Sequence, residues 1–291
     1  MTHHKNTIFM LGKTGAGRAT FFTNTELGYE KDSSALYTTW ENEKTRYLIP
    51  KQVLTKANSN ELFEQMYSYC AVQPFQLALI TIDFPTLLDD KKRDAVEKLL
   101  VEQLSLIKKC QKKLMVSIVI TKCDRLLGFQ EFFNNLTIDE RKQAFGVTRT
   151  DEFSTFLQTL NSQVITRLHQ ESLPEKRTLI QMFPTQLELL TTKITLFVEA
   201  IGLDDANRYQ GIHFTSNKQK HKPIDILNRH KNTLPPSITD KVFFTEDLLN
   251  QFNSIAANNK IKAKRFDKKR WAIIPISLVI VIALILSWHI S

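Results

Sequence analysis

The sequence predicts an α/β fold with a parallel sheet and a helical second half, followed by one C-terminal transmembrane helix. Two near-continuous apolar runs, "QLALITID" at 76–83 and "KLMVSIVIT" at 113–121, are typical of strands buried on both faces. The segment between them carries apolar residues at helical spacing, which predicts an amphipathic crossover helix and therefore parallel strands. An uncharged stretch at 271–288 predicts the membrane-spanning helix.

A third apolar run, "TIFML" at 7–11, leads into the glycine-rich stretch "GKTGAGRAT" at 12–20. The residues that follow, "RATFFTNT" at 18–25, are predicted to begin a helix. This strand, loop and helix order is that of a phosphate-binding P-loop, in which backbone N–H groups and the helix N-terminus hold the anion. The glycines that would permit the tight turn are Gly12, Gly15 and Gly17.

The loop departs from the P-loop pattern G-x-x-x-x-G-K-[ST] at its two reactive positions. Arg18 replaces the lysine, and its planar guanidinium does not reproduce the geometry of an ammonium group. Ala19 removes the hydroxyl that would bind Mg²⁺, while Thr20 lies one residue too late, turned by about 100° on a helix. A glycine-rich turn without a ligand is the alternative interpretation.

A second nucleotide-related element, "TKCD" at 121–124, follows the strand at 113–121. It resembles the guanine-reading N/T-K-x-D element of G domains, in which the carboxylate of Asp124 would accept two hydrogen bonds from guanine and Lys122 would lie along the base. An aspartate after a strand is also often a helix cap. The order of the two elements favours a P-loop G-domain-like sheet. Its conditional nucleotide-binding residues are Gly12, Gly15, Gly17, Arg18, Thr20, Thr121, Lys122 and Asp124.

Neither a metal site nor a complete hydrolytic site is predicted. Asp83 ends a hydrophobic strand as a Walker B aspartate does, but "FPTLL" follows it, so a role as a cap is favoured. The three cysteines have no C-x-x-C spacing, which excludes the usual zinc and disulfide patterns. No catalytic residue and no cofactor are therefore expected, except for GTP or GDP if the loop still binds a nucleotide.

The positive charge of the chain is concentrated next to the apolar stretch. The net charge is +9, and residues 260–270 carry seven Lys or Arg and one Asp, or +6, which leaves +3 for the rest. This distribution disfavours nucleic-acid binding. Trp271 and Trp288 bracket the apolar stretch as interfacial anchors do, and the positive-inside rule predicts a single-pass protein with a cytoplasmic N-terminal body. A buried core helix is the disfavoured alternative.

Several longer stretches resemble the IcmF (TssM) family of type IVB and type VI secretion proteins. They are "VITKCDRLLGFQEFFNNLTIDERKQAFGVT" at 119–148, "FPTQLELL" at 183–190, "GIHFTSNKQKHKPID" at 211–225 and "KVFFTEDLLNQF" at 241–252. The resemblance implies a cytoplasmic G-like domain in the bacterial inner membrane complex, partnered by a DotU (TssL)-type protein. It also places Pro50 near the Walker B aspartate and Gln210 where an arginine is expected. The family's preceding transmembrane hairpin and following periplasmic portion are not found in this sequence.

These observations predict four segments and a ranked set of functions. The segments are a degenerate P-loop G-like portion at 1–125, a helical extension at 126–258, a basic juxtamembrane linker at 259–270 and a transmembrane helix at 271–288. Within the extension, apolar residues at spacings of three and four predict helices at 151–171 and 179–202, and a last helix is predicted around "FTEDLLNQFNSIAANN" at 244–259. The first hypothesis is a non-catalytic scaffold subunit of a secretion complex. A guanine-nucleotide switch without turnover is second, and a weak GTPase is third because the lysine, hydroxyl and acidic metal support are all missing.

Overall fold

An eight-stranded sheet organises the residues described by the computed structural model, which are 5–52, 75–110, 114–203, 209–228 and 234–259. The strands are β1 (Asn6–Gly12), β2 (Glu30–Ser33), β3 (Tyr37–Glu41), β4 (Thr45–Pro50), β5 (Phe75–Asp83), β6 (Met115–Thr121), β7 (Gly146–Val147), β8 (Tyr209–Phe214), β9 (Gln219–His221) and β10 (Ser237–Thr239). The helices are α1 (Phe84–Leu88), α2 (Asp90–Cys110), α3 (Phe129–Phe133), α4 (Ile138–Lys142), α5 (Phe153–His169), α6 (Pro174–Ala200) and α7 (Glu246–Asn258).

The centre of the main sheet is parallel, as the sequence predicts. Its order is β2-β3-β4-β1-β5-β6-β8-β7. The five adjacent strands β4, β1, β5, β6 and β8 run in the same direction. The outer pairs of this sheet, β2–β3, β3–β4 and β7–β8, are antiparallel. The predicted strands at 7–11, 76–83 and 113–121 are confirmed as β1, β5 and β6, and α2 is the predicted crossover helix. Parallel strands give the sheet a carboxyl edge, where they end, and an amino edge, where they begin.

Apolar side chains alternate between the two faces of the sheet. Phe9 and Leu11 of β1 join one buried cluster with α2 and α6, whereas Ile8 and Met10 join a second cluster. The second cluster is covered by α7, the predicted last helix of the body, through side chains with no exposed surface, such as Phe252. Both faces are therefore buried, which explains the near-continuous apolar runs of the central strands.

The predicted helix after the glycine-rich stretch is wrong. Residues 18–24 form turns rather than a helix, so the predicted helix N-terminus is missing from this part of the described chain. Phe21 and Phe22 of these turns are both buried in the second apolar cluster. Thr20 and Thr23 instead donate hydroxyl hydrogen bonds within the turns, to the carbonyls of Gly17 and Thr20 at 2.8 Å and 3.2 Å.

The second half is helical only in part. The helices α5 and α6 confirm the predicted segments at 151–171 and 179–202, but β8 returns to the main sheet beside β6. Two further short strands, β9 and β10, form an antiparallel ribbon. The sheet therefore crosses the expected boundary between 1–125 and 126–258, because residues from both portions contribute strands to it.

The predicted membrane helix lies outside the described residues. Among the helices that the structure does describe, none combines the length and the apolar composition needed to cross a membrane. The segments 260–270 and 271–288 both fall beyond Asn259, the last described residue. The transmembrane helix consequently remains a prediction from the sequence.

One buried histidine predicts a pH dependence of folding. His213 lies on β8 with its ring edge-on to Phe252, the ring centroids being 5.4 Å apart, and its Nε2 has no hydrogen-bond partner among the described residues. Burial lowers its pKa to about 4. The unfolded chain, with an ordinary pKa of about 6.5, thus binds the proton that the folded chain excludes. As the pH falls from about 6.5 to about 4, we expect a loss of about 3 kcal/mol in the free energy of unfolding.

Denaturant unfolding of the full chain in detergent at several pH values measures this effect. The matched variant is His213→Phe, which keeps a ring against Phe252 and cannot titrate. Between about pH 4.5 and 6, its stability should fall less steeply than that of the wild type by about 1.2 kcal/mol per pH unit. Identical slopes for the two proteins would contradict the prediction, whatever the difference in absolute stability.

Candidate functional site

The carboxyl edge of the sheet holds a cavity of about 340 Å³, which we call the edge cavity. It is lined by the glycine-rich loop, by Thr121 and Lys122 at the end of β6, and by the segment 215–219 after β8. Ile49, near the end of β4, also borders it. Ligand pockets commonly have volumes of about 300–1,000 Å³, so this one is at the small end of the range.

The two predicted motifs meet across this cavity. Thr121 donates a hydroxyl hydrogen bond of 2.9 Å to the carbonyl oxygen of Ala16, and the ammonium group of Lys122 donates one of 2.7 Å to the carbonyl oxygen of Gly15. Lys122 has a left-handed backbone, with φ of 58°, at the start of the turn after β6. The "TKCD" element therefore holds the glycine-rich loop through the backbone carbonyls of the loop.

Positive charge lines the edge cavity, and of its three cations only Lys122 has a described carboxylate within ion-pair distance. Arg18, Lys122 and Lys218 are among its lining residues, which include no Asp or Glu. No carboxylate among the described residues lies within ion-pair distance of Arg18, and partial burial lowers the pKa of its guanidinium. Lys122 is 3.9 Å from the carboxylate of Asp83. The cavity thus has a positive character that favours anions over cations.

Two positions, Asp83 and Pro50, correspond to the aspartate that supports the metal ion in P-loop proteins. The carboxylate of Asp83 accepts a 3.0 Å hydrogen bond from the backbone N–H of Thr86, which confirms its role as the N-cap of α1. Pro50 ends β4, the strand beside β1, so its end carries no carboxylate. The described residues contain no cluster of three or more potential metal-binding side chains.

Asp124 lies behind the cavity rather than in its lining. Its side chain has no exposed surface, and its oxygens are surrounded by four polar side chains from the second half of the chain. Ser216 and Gln219 donate hydrogen bonds of 2.5 Å and 2.6 Å to Oδ1, while Thr239 donates one of 2.8 Å to Oδ2. His221 Nε2 lies 3.1 Å from the same Oδ2. We call these five residues the Asp124 cluster.

The Asp124 cluster fastens the ribbon of β9 and β10 to the main sheet. Gln219 and His221 belong to β9, and Thr239 belongs to β10, whereas Asp124 follows β6. Burial lowers the pKa of His221, and the neighbouring carboxylate opposes this shift. The carboxylate that the sequence predicts to read guanine is thus fully occupied by side chains of the same chain.

The sequence pattern indicates Asp124 but not its four partners. Three of the partners, Ser216, Gln219 and His221, lie in the polar stretch "FTSNKQKH" at 214–221. This stretch follows a strand, as the residues of a site at a sheet edge often do, and that position is the feature of the sequence that could have indicated them. Thr239 gave no such signal, because it lies 115 positions from Asp124 in the chain. The remaining predicted residues lie together at the carboxyl edge, where Gly12 ends β1 and the others line the edge cavity: Gly15, Gly17, Arg18, Thr20, Thr121 and Lys122.

Two solved structures of GDP-bound proteins are similar to the chain at low identity. One is an ADP-ribosylation-factor-like GTP-binding protein, the small COPII coat GTPase SAR1, from Encephalitozoon cuniculi, with 11% identity, 88% of this chain and 82% of that chain covered, and a TM-score of 0.42. The other is a point mutant of NFeoB from S. thermophilus, with 13% identity, 69% and 92% coverage, and a TM-score of 0.29. These scores are too low to assign a fold or a ligand.

Similarity in sequence assigns the chain to a protein family. Over 133 residues it is 32% identical to the type VI secretion system component TssM1 of Pseudomonas aeruginosa, an alignment that covers 38% of this chain and 12% of the relative. The chain thus corresponds to a small part of that protein. The model of the IcmF-related N-terminal domain matches residues 56–274, about three quarters of the chain, and includes the Asp124 cluster but not the glycine-rich loop. The chain belongs to the IcmF-related family.

Proposed function

We propose that the chain is a non-catalytic scaffold subunit of a bacterial type IVB or type VI-like secretion complex, anchored in the inner membrane by residues 271–288. Its family and its similarity to TssM1 support the kind of complex. The apolar stretch and the basic run before it support the anchor and a cytoplasmic position of the body. A DotU/TssL-type membrane protein is the proposed partner, together with other secretion subunits.

The occupied carboxylate of Asp124 is the observation that carries the non-catalytic role. A base could hydrogen-bond to this group only after displacing Ser216 or Thr239, which are buried, or Gln219, which is half-buried and lines the edge cavity. Each buried donor left without a partner costs about 1–3 kcal/mol, which a bound guanine would have to offset. The missing hydroxyl at Ala19 and the missing carboxylate at Pro50 remove the usual support for Mg²⁺ as well.

Titration of the full chain in detergent with a fluorescent guanine nucleotide tests this role. With or without Mg²⁺, we expect no saturable binding at micromolar nucleotide and no phosphate release above background. The informative comparison is the double variant Arg18→Lys/Ala19→Ser, which restores the P-loop pattern. Because the Asp124 cluster is unchanged in this variant, we expect it to remain unable to bind guanine selectively.

Two outcomes would contradict the non-catalytic proposal. The first is micromolar binding by the wild type that unlabelled GTP displaces and Arg18→Ala abolishes. The second is phosphate release that disappears in Arg18→Ala. Arg18 suits this control because no described carboxylate pairs with it, so its removal should not break an ion pair.

Co-purification from membranes tests the scaffold role itself. We expect the full chain to recover a DotU/TssL-type protein, and Arg18→Ala to recover as much of it as the wild type does. Recovery of other secretion subunits without this partner would contradict the proposed pairing. A requirement for added nucleotide would contradict a scaffold that acts without a ligand.

A guanine-nucleotide switch without turnover is the second candidate, and the edge cavity supports it. Three cations and no carboxylate line this space, and Arg18 has no described acidic partner. A phosphate group would supply the missing negative charge. The same titration separates the two candidates, because a switch requires saturable binding that depends on Arg18.

A further inference from the structure

The path of α7 connects the two edges of the sheet. Thr245, directly before the helix, borders the edge cavity at the carboxyl edge. After the 13 residues of α7, or about 20 Å, the side chain of Asn259 donates a 2.7 Å hydrogen bond to the carbonyl oxygen of Gln76, near the start of β5. The chain therefore leaves the described body at the amino edge, opposite the edge cavity.

This departure point is fixed by packing. Leu248, Leu249 and Phe252 of α7 have no exposed surface and lie against the second apolar cluster. Asn253 adds polar contacts, because Tyr47 donates a 2.8 Å hydrogen bond to its Oδ1 and its amide donates one of 2.9 Å to Tyr29. Moving Asn259 towards the carboxyl edge would require α7 to leave the sheet.

The departure point is also held to the first residues of the central strands. The side-chain carbonyl of Gln76 accepts a 2.6 Å hydrogen bond from the backbone N–H of Thr7, at the start of β1. The backbone carbonyl of the same Gln76 accepts from Asn259. Hydrogen bonds through Gln76 therefore connect Asn259 to the first residues of β1 and β5, at the amino edge of the sheet.

The sequence beyond Asn259 leads, after a short basic run, into the predicted membrane-spanning stretch. Eleven residues, 260–270, separate Asn259 from the uncharged stretch at 271–288 and carry a net charge of +6. Even fully extended they reach only roughly 36–40 Å. Basic residues beside a membrane span are attracted to anionic lipid head groups, which would draw the run along the surface and shorten this distance.

We infer that the amino edge of the sheet faces an anionic lipid surface and that the edge cavity opens on the opposite side, towards soluble partners. The inference rests on the proposed membrane anchor. Described charges at the amino edge have both signs, including Lys44, Lys108 and Glu43, so the basic run supplies the attraction. This geometry keeps Arg18 and Lys218 accessible while the body is held at the membrane.

Two lysines on α2 allow the orientation to be measured on a single helix. Lys91 lies at the carboxyl edge and Lys108 near the amino edge, both exposed, and the 17 positions between them span about 25 Å. The full chain, with Cys70 and Cys110 replaced by serine, is labelled with a fluorophore at Lys91→Cys or Lys108→Cys. It is then reconstituted into vesicles of phosphatidylethanolamine and phosphatidylglycerol that contain a head-group nitroxide quencher.

We expect quenching at residue 108 to exceed that at residue 91 by roughly twofold or more, because the two labels differ in height by about 25 Å. Equal quenching, or stronger quenching at residue 91, overturns the orientation. Flotation of the same vesicles tests the anchor separately, with a chain ending at Asn259 as the control. A full chain that fails to float overturns the membrane anchor, whereas one that floats with the opposite quenching pattern overturns the orientation alone.

Discussion

Replacing Asp124 by alanine is expected to lower the free energy of unfolding by about 3–5 kcal/mol, because it leaves several buried donors without an acceptor. Ser216, Gln219 and Thr239 all donate to this carboxylate, and His221 lies beside it. Thermal or denaturant unfolding of the full chain in detergent measures the change. An aspartate kept only to read a base would show the opposite behaviour, with lost affinity and nearly unchanged stability.

The matched control is Asp151→Ala. This carboxylate forms a 2.8 Å ion pair with Arg149, and both side chains are more than 60% exposed, so its loss should change stability little. Partial removal gives a graded test, since Gln219→Ala and Thr239→Ala each remove one donor and should cost less than Asp124→Ala. If Asp124→Ala is as stable as Asp151→Ala, the Asp124 cluster does not hold the ribbon to the sheet.

The sequence predicts the framework of this fold because the framework is encoded locally. Apolar runs identify β1, β5 and β6, and periods of three and four residues identify α2, α5 and α6. The ends of parallel strands then bring the glycine-rich loop and "TKCD" to the same edge without further information. For this reason the positions of Thr121 and Lys122 follow from the pattern.

The roles that these residues have in the structure do not follow from the periodicity of the sequence. The role of Asp124 depends on partners from β9 and β10, which are too short to have a periodicity that could predict them. The helix predicted after the loop fails for a related reason. Threonines and an asparagine favour turns there. The buried ring of Phe22 is held by contacts with Trp40 and Tyr47, which are distant in sequence.

Gly12→Ala is expected to cost about 3–5 kcal/mol in the free energy of unfolding, combining backbone strain with overpacking. Gly12 has φ of +126°, and a Cβ built on it would overlap the carbonyl oxygen of Thr81 and lie 2.7 Å from its Oγ1. Both atoms belong to the central strand β5, which cannot move aside. This glycine is therefore required for packing between β1 and β5, whether or not the loop binds an anion.

Gly15→Ala is the matched variant, and it separates packing from ligand binding. Gly15 also has a positive φ, +87°, but no described atom lies within 4 Å of a Cβ built there, so only the backbone strain of about 1–3 kcal/mol remains. We expect denaturant unfolding to show Gly12→Ala as the less stable of the two. Equal stabilities would mean that the contact with Thr81 is not the reason for Gly12. The expected difference would instead mean that packing alone accounts for one glycine of the P-loop pattern, so its presence is not evidence that the loop binds phosphate.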